Sequence, residues 1–153
     1  MLQKMATLTL CKLMCISSEF CQQNLQLLFT LMEKSKNPTI RSNLLLSLGD
    51  LTITFHSLID SNIKYLYNRL RDPVSFVKRH ALMVLSHLVL NGMVKVKGQL
   101  SEMAQCLTDR DSRTSDLTRL FFMELAGRDN AIYNHLPDLF SHLYSDENRK
   151  FAQ

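Results

Sequence analysis

The sequence predicts an all-α fold, an α-solenoid built from about four helix pairs, and three observations carry that prediction. Turn-forming residues are scarce: the 153 residues include only four glycines and three prolines. Soluble domains average about 7% glycine and about 5% proline, so a many-stranded sandwich or barrel has too little turn material here. Apolar residues, 46% of the chain, recur at helical spacing, as in Val77, Ala81, Val84, Leu85 and Leu88, which form one stripe of an amphipathic helix. Finally, the pattern repeats every 37 residues: Leu48, Leu85 and Phe122 form one series, and Leu51, Leu88 and Leu125 another.

The units follow in order. The first, residues 2–34, is offset by 38, which carries Leu10, Leu13, Leu25, Leu28 and Met32 onto Leu48, Leu51, Ile63, Leu66 and Leu70. The second, 36–71, opens at Asn37-Pro38, a capping side chain ahead of a proline whose missing N–H costs nothing at the first helical position. The third, 73–108, opens in the same way at Asp72-Pro73, with Gly92 and Gly98 falling between its two helices. The fourth, 111–145, has Gly127 closing its first helix. Second-helix positions keep the same interval: Ile63, Leu100 and Pro137; Leu66, Met103 and Phe140; Leu70, Leu107 and Tyr144. Together they make a single array over residues 1–153.

A two-helix unit of this length fits tetratricopeptide repeats, at about 34 residues, or HEAT and armadillo repeats, at about 40–47 with wide variation. Asp72-Pro73, Val77-Lys78 and Ala81 resemble the HEAT pattern, and Asn37-Pro38 with Ile40-Arg41 repeats it. The tetratricopeptide signature calls for tryptophan or another aromatic residue at a fixed place, and the chain has no tryptophan.

Candidate chemistry is sparse. Cys11, Cys15 and Cys21 cluster and Cys106 stands apart, but no C-x-x-C pair or H-x3-H partner completes a zinc set. These cysteines read as packing residues of a chain in a reducing, intracellular compartment. His80 and His87, like His135 and His142, are seven apart on a helix, about 10 Å and too far for one metal ion. The stretch 92–101 lacks the glycine and lysine spacing of a phosphate loop. Asp109-Arg110-Asp111 fails as a calcium loop, because Thr114 stands where glycine is needed and Leu120 where the bidentate glutamate belongs. No catalytic residue, cofactor or metal is expected. The longest apolar run, residues 81–90, is broken by Ser86 and His87 and is too short to span a bilayer. The apolar run between Lys4 and Lys12 is too short for a secretory signal.

Charge is informative in its distribution. The net charge is +4, yet Lys64, Arg69, Arg71, Lys78, Arg79, Lys95 and Lys97 face a single acid, Asp72, over residues 64–97. In stacked units these residues can share a surface that neutralises phosphates. A solvated helix face accounts for the same charges equally well.

Several stretches go beyond generic solenoid features. They are Arg41-Ser42-Asn43 with Leu48-Gly49-Asp50-Leu51; Leu66-Tyr67 with Arg69-Leu70-Arg71-Asp72; Met93-Val94-Lys95-Val96-Lys97-Gly98-Gln99 running into Ser101-Glu102-Met103-Ala104; Phe121-Phe122 with Glu124-Leu125; and Asn130-Ala131-Ile132-Tyr133-Asn134 with Leu136-Pro137-Asp138. Together they resemble the condensin subunit 1 family of HEAT-repeat regulatory subunits. The resemblance implies a non-catalytic scaffold that binds the kleisin subunit, contacts the ATPase heads of the SMC pair, and helps the complex engage DNA and compact mitotic chromosomes. It also implies a place in the nucleus and on chromosomes, with a cytoplasmic pool, and that this chain corresponds to a stretch in the C-terminal half of a longer subunit. The lysine-glycine turn at 93–98 resembles turns of such subunits that contact an ATPase head or DNA. That likeness assigns partner or DNA contact to Lys95, Lys97 and Gly98, with Arg71, Lys78 and Arg79 of the basic cluster beside them. A turn that merely connects two helices and carries solvating lysines is the alternative. No membrane or small-molecule partner is implied. A generic protein-interaction solenoid, of transport-receptor or phosphatase-scaffold type, remains the alternative function.

Overall fold

The computed structural model describes residues 1–94, 100–128 and Pro137. It divides into two compact units, Met1–Val94 and Lys95–Gln153. All regular structure among the described residues is helical.

In the first unit, α1 (Leu2–Met14) buries Thr7, Cys11 and Met14, one narrow stripe. Helix α2 (Ser18–Lys34) starts where the Ser17 hydroxyl accepts from the Phe20 N–H, satisfying one of the donors that a helix start leaves open. It buries Cys21, Leu25, Leu28, Phe29 and Met32. Helix α3 (Pro38–Thr54) opens as the sequence predicts, with the Asn37 side chain accepting from the Thr39 N–H at 3.0 Å and Pro38 in the first turn. It packs against α1, α2 and α6, and its buried residues lie all around it, from Ile40, Leu44 and Leu45 to Leu48 and Leu51. A helix enclosed on several sides needs no polar face.

The second half of this helix pair keeps its apolar spacing but is not one helix. Ile59, Ile63, Leu66 and Leu70 are buried at steps of four, three and four, while the backbone runs through α4 (His56–Ile59), a 3-10 turn (Asp60–Asn62), α5 (Lys64–Asn68) and a second 3-10 turn (Arg69–Arg71). Asp60, Ser61 and Asn62 explain the first break, since short polar side chains compete with the helical backbone for its hydrogen bonds.

Helix α6 (Ser75–Leu90) buries the whole predicted stripe of Val77, Ala81, Val84, Leu85 and Leu88. Its start departs from expectation. Pro73 does not occupy the first helical position; the helix begins at Ser75 after an extended Val74. Asp72 instead makes a local turn, accepting from the Val74 N–H at 3.0 Å, because its carboxylate is engaged elsewhere, as described below. Helices α3 and α6 approach closely at Gly49, where an added Cβ would lie 2.9 Å from Val84 Cγ1. After α6 the chain reverses at Gly92, in the left-handed region at φ 67°. There Gly92 N–H donates to the Val89 carbonyl and Met93 N–H to that of Leu88, so the open carbonyls of the helix end are satisfied by a residue that bears no left-handed penalty. The first helices of the successive pairs, α1, α3 and α6, thus stack in sequence, the solenoid-type packing that the 37-residue period predicts.

The second unit contains α7 (Leu100–Gln105), a 3-10 turn (Cys106–Thr108) and α8 (Ser112–Ala126). Leu100, Met103, Cys106, Phe121 and Leu125 are buried. Ahead of α8, Asp109 accepts from the Asp111 N–H at 2.9 Å and Asp111 accepts from the Thr114 hydroxyl at 2.7 Å. These two acids organise a helix start. Gly127 follows α8 as predicted, in an ordinary right-handed conformation at φ −73°. The predicted positions Phe140 and Tyr144, and His135 and His142, lie outside the described residues.

Candidate functional site

The basic segment is organised around one guanidinium. Arg41, on the first turn of α3, is buried and grips Asp72 with two bonds: Nε donates to Oδ2 at 2.8 Å and Nη2 to Oδ1 at 2.9 Å. Its remaining nitrogen, Nη1, donates to the backbone carbonyls of Ser35 at 2.9 Å and Lys36 at 3.2 Å. A single side chain therefore joins the corner before α3 to the corner before α6. Arg69 adds a second strap, with Nη1 3.7 Å from Asp72 Oδ2 and donating to the Met32 carbonyl at 3.5 Å. Two guanidiniums on one buried carboxylate leave no uncompensated negative charge, the condition under which burying an acid is tolerable.

This arrangement changes the reading of the basic cluster. Its only acid, Asp72, is 4% exposed and spent on the fold, and so is Arg69, which the sequence places among the surface cations. Lys64 lies over the ring of its neighbour Tyr65, 5.4 Å from the centroid, and Tyr65 stacks on Phe29. Of the predicted contact residues, Arg71 is exposed and Lys78 and Arg79 are half-buried. Arg71 ends the 3-10 turn ahead of α6, and Lys78 and Arg79 lie in the first turns of α6. The helix then runs 16 residues, about 24 Å at roughly 1.5 Å per residue, before the chain reaches Val94. Lys95, Lys97 and Gly98 lie outside the described residues.

Nothing in the geometry of the described residues assembles reactive groups. Cys11 and Cys21 are buried and Cys15 half-buried, all with free thiols, and burial pushes all three thiols above their ordinary 9.0. For Cys11 this outweighs the opposing hydrogen bond with Ser47. Raised thiols are poor nucleophiles and poor metal ligands at neutral pH. Among the described residues no group of three or more His, Cys, Asp or Glu could hold a metal ion. His80 pairs through Nδ1 with the Ser42 hydroxyl, a link between α6 and α3, and His87 is exposed. A groove of about 620 Å³ beside Ser18, Gln22 and Thr54 holds one titratable side chain, His56. No helix among the described residues is long and apolar enough to cross a membrane.

Sequence reasoning missed the Arg41 clamp. The available signal was a lone acid among seven bases, together with the recurrence of a basic residue after an apolar one at Ile40-Arg41 and Val77-Lys78.

The family model for non-SMC mitotic condensation complex subunit 1 matches residues 39–152. Condensin complex subunit 1 of Saccharomyces cerevisiae is 56% identical over 147 residues, covering 96% of this chain and 12% of the yeast protein. The Homo sapiens protein of the same name is 49% identical over 142 residues, covering 93% of this chain and 10% of that protein. The condensin-2 subunit CAP-D3 of Arabidopsis thaliana is more distant, 29% identical over 100 residues, or 65% of this chain and 8% of that protein. The chain thus spans about a tenth of the length of the relatives it matches.

Proposed function

Because the chain belongs to the family of non-SMC mitotic condensation complex subunit 1, we propose that it acts as a non-catalytic HEAT-repeat scaffold of condensin, contacting the SMC ATPase heads, the kleisin subunit and DNA through its surfaces. The observation that carries this reading is the family match over residues 39–152, on a helix stack in which the Arg41–Asp72 and Ser42–His80 pairs join neighbouring elements. The helix pairs at 2–34, 36–71, 73–108 and 111–145 act as one array, and mitotic chromosome condensation is the process it serves. Its place is the nucleus and chromosomes, with a cytoplasmic pool.

The contact residues in this reading are Lys95, Lys97 and Gly98 of the lysine-glycine turn, assisted by Arg71, Lys78 and Arg79. Support comes from the chain reversal at Gly92, which ends α6 and delivers the backbone to that turn, and from the consumption of Asp72 inside the fold. Residues 64–97 hold seven basic side chains and the single acid Asp72, a balance that suits an acidic protein face or phosphates.

Charge reversal of Lys95 and Lys97 to Glu in a reconstituted condensin complex tests this. The expected result is reduced stimulation of the SMC ATPase or weaker DNA binding, with unchanged helicity by circular dichroism. Three or four phosphate contacts would give a log–log salt slope near −3. Unchanged ATPase activity and DNA affinity would remove these residues from the site.

A further inference from the structure

Within the first unit, the start of α1, the end of α2 and the start of α3 enclose a groove of about 510 Å³, within the range of about 300–1,000 Å³ that holds a bound ligand. Its apolar lining comes from three helices, as Ala6, Leu31 and Ile40, and its polar lining includes Gln3, Lys34, Lys36 and Asn37. Lys34, the last residue of α2, and Lys36, in the link to α3, are both exposed, and neither enters an ion pair among the described residues. No acid is among the described residues that line the groove; Glu33 is about 100° round the helix from Lys34.

The link between α2 and α3 is set before any ligand arrives. Asn37 N–H donates to Ser35 Oγ at 3.3 Å, and Asn37 Oδ1 accepts from the Thr39 N–H, which leaves the Asn37 side chain its NH2 donors. The carbonyls of Ser35 and Lys36 accept from Arg41 Nη1. They stand just past the C-terminal end of α2, where an anion would otherwise meet partial negative charge, and the guanidinium offsets it. The polar rim is therefore rich in donors and poor in free acceptors, beside an apolar wall.

We propose that this groove docks an acidic peptide segment of a partner protein, with an apolar side chain seated against Ala6, Leu31 and Ile40 and flanking carboxylates on Lys34 and Lys36. The site goes beyond the reading above and does not rest on Lys95 or Lys97. Charge complementarity selects the occupant: two unpaired ammonium groups call for two carboxylates, and the apolar lining calls for a side chain between them. Nucleic acid meets only half of that demand, because no aromatic side chain lines the groove to stack a base and a phosphate backbone has nothing to place on leucine and isoleucine. Because the link is already fixed by its own hydrogen bonds, binding has little of the groove left to order.

The test is fluorescence polarisation of the full chain with a labelled hexapeptide of alternating glutamate and leucine, beside a glutamate-serine peptide and a lysine-leucine peptide. The wild type is expected to bind the first and to discriminate against the other two. Lys34→Gln with Lys36→Gln should weaken binding about fivefold, two exposed ion pairs at their usual strength, and should flatten its salt dependence. Ala6→Phe fills the groove from an exposed helical position; it should weaken binding while leaving the lysines in place. Circular dichroism of both variants should match the wild type, and Lys95→Glu with Lys97→Glu should bind the peptide as the wild type does. Absence of binding by the wild type overturns the site. So does equal binding of the glutamate-serine peptide, which would mean that the apolar lining is idle, or an unchanged affinity in the Lys34 and Lys36 variant. If that variant instead lost affinity for duplex DNA and kept its affinity for the peptide, the lysines would belong to a phosphate contact and the docking site would fall.

Discussion

At the scale of single residues, the cysteines show how burial decides chemistry. Cys11 and Cys21 sit at 2% and 0% exposure in the first helix pair. Their thiols are pushed up chiefly by burial, as is that of the less buried Cys15. A raised value means that the folded chain holds its proton more tightly than the unfolded chain does. The contribution to stability is thus fully present below the ordinary 9.0 and is lost as pH rises through the higher folded value. Urea midpoints of the wild type are therefore expected to fall more steeply above pH 9.0 than those of Cys11→Ala, whose deficit at neutral pH should shrink as conditions become alkaline. Parallel profiles would show that Cys11 does not feel the interior. The packing role of these cysteines was legible in the sequence, because spacing and the lack of partner ligands sufficed. The inward turn of Arg69 was not legible, since a basic residue looks alike in composition whether it meets water or a buried carboxylate.

Between elements, the decisive bond joins α3 to the corner before α6. The Arg41 and Asp72 side chains are 10% and 1% exposed, and they are 31 residues apart in sequence. Removing one partner strands the other: Asp72→Ala should cost about 3–5 kcal/mol in urea denaturation, while replacing both by apolar residues of similar volume should cost much less. A double-mutant cycle giving additive losses would mean that the pair is screened and does not clamp the corners. The order of α1, α2, α3 and α6 was readable from apolar period and from the Asn37-Pro38 cap. The Asp72-Pro73 corner was misread because a capping rule is local and cannot see that a carboxylate has a stronger partner one unit upstream. The break at residues 60–62 escaped for a related reason: the buried stripe continues through Ile59, Ile63, Leu66 and Leu70, so periodicity reports the core and not the continuity of the helix.

Across the first unit as a whole, stability should be graded along the stack. In solenoids each unit contacts only its neighbours, so folding energy is close to a sum of unit and interface contributions. Helix α3 packs on α1, α2 and α6 and buries nine residues, whereas α1 packs on α2 and α3 and buries three. Leu51 is fully buried; its equivalent one period earlier, Leu13, is 48% exposed, and Leu2 and Met5 are 84% and 58% exposed. The period in the sequence assigns these residues to one class, and only the number of neighbouring helices separates them. Opening α1 exposes little new apolar surface, while opening α3 exposes the centre of the unit. Because local opening free energies scale with the buried contacts that must be broken, native-state hydrogen exchange should find the amides of α3 the slowest in residues 1–94, and those of α1 the fastest among its long helices. Dilution of the protein should leave that ranking unchanged. If α1 instead exchanged as slowly as α3 and speeded up on dilution, its apolar outer face would be covered by another copy of the chain, and the gradient would belong to an assembly rather than to the single stack.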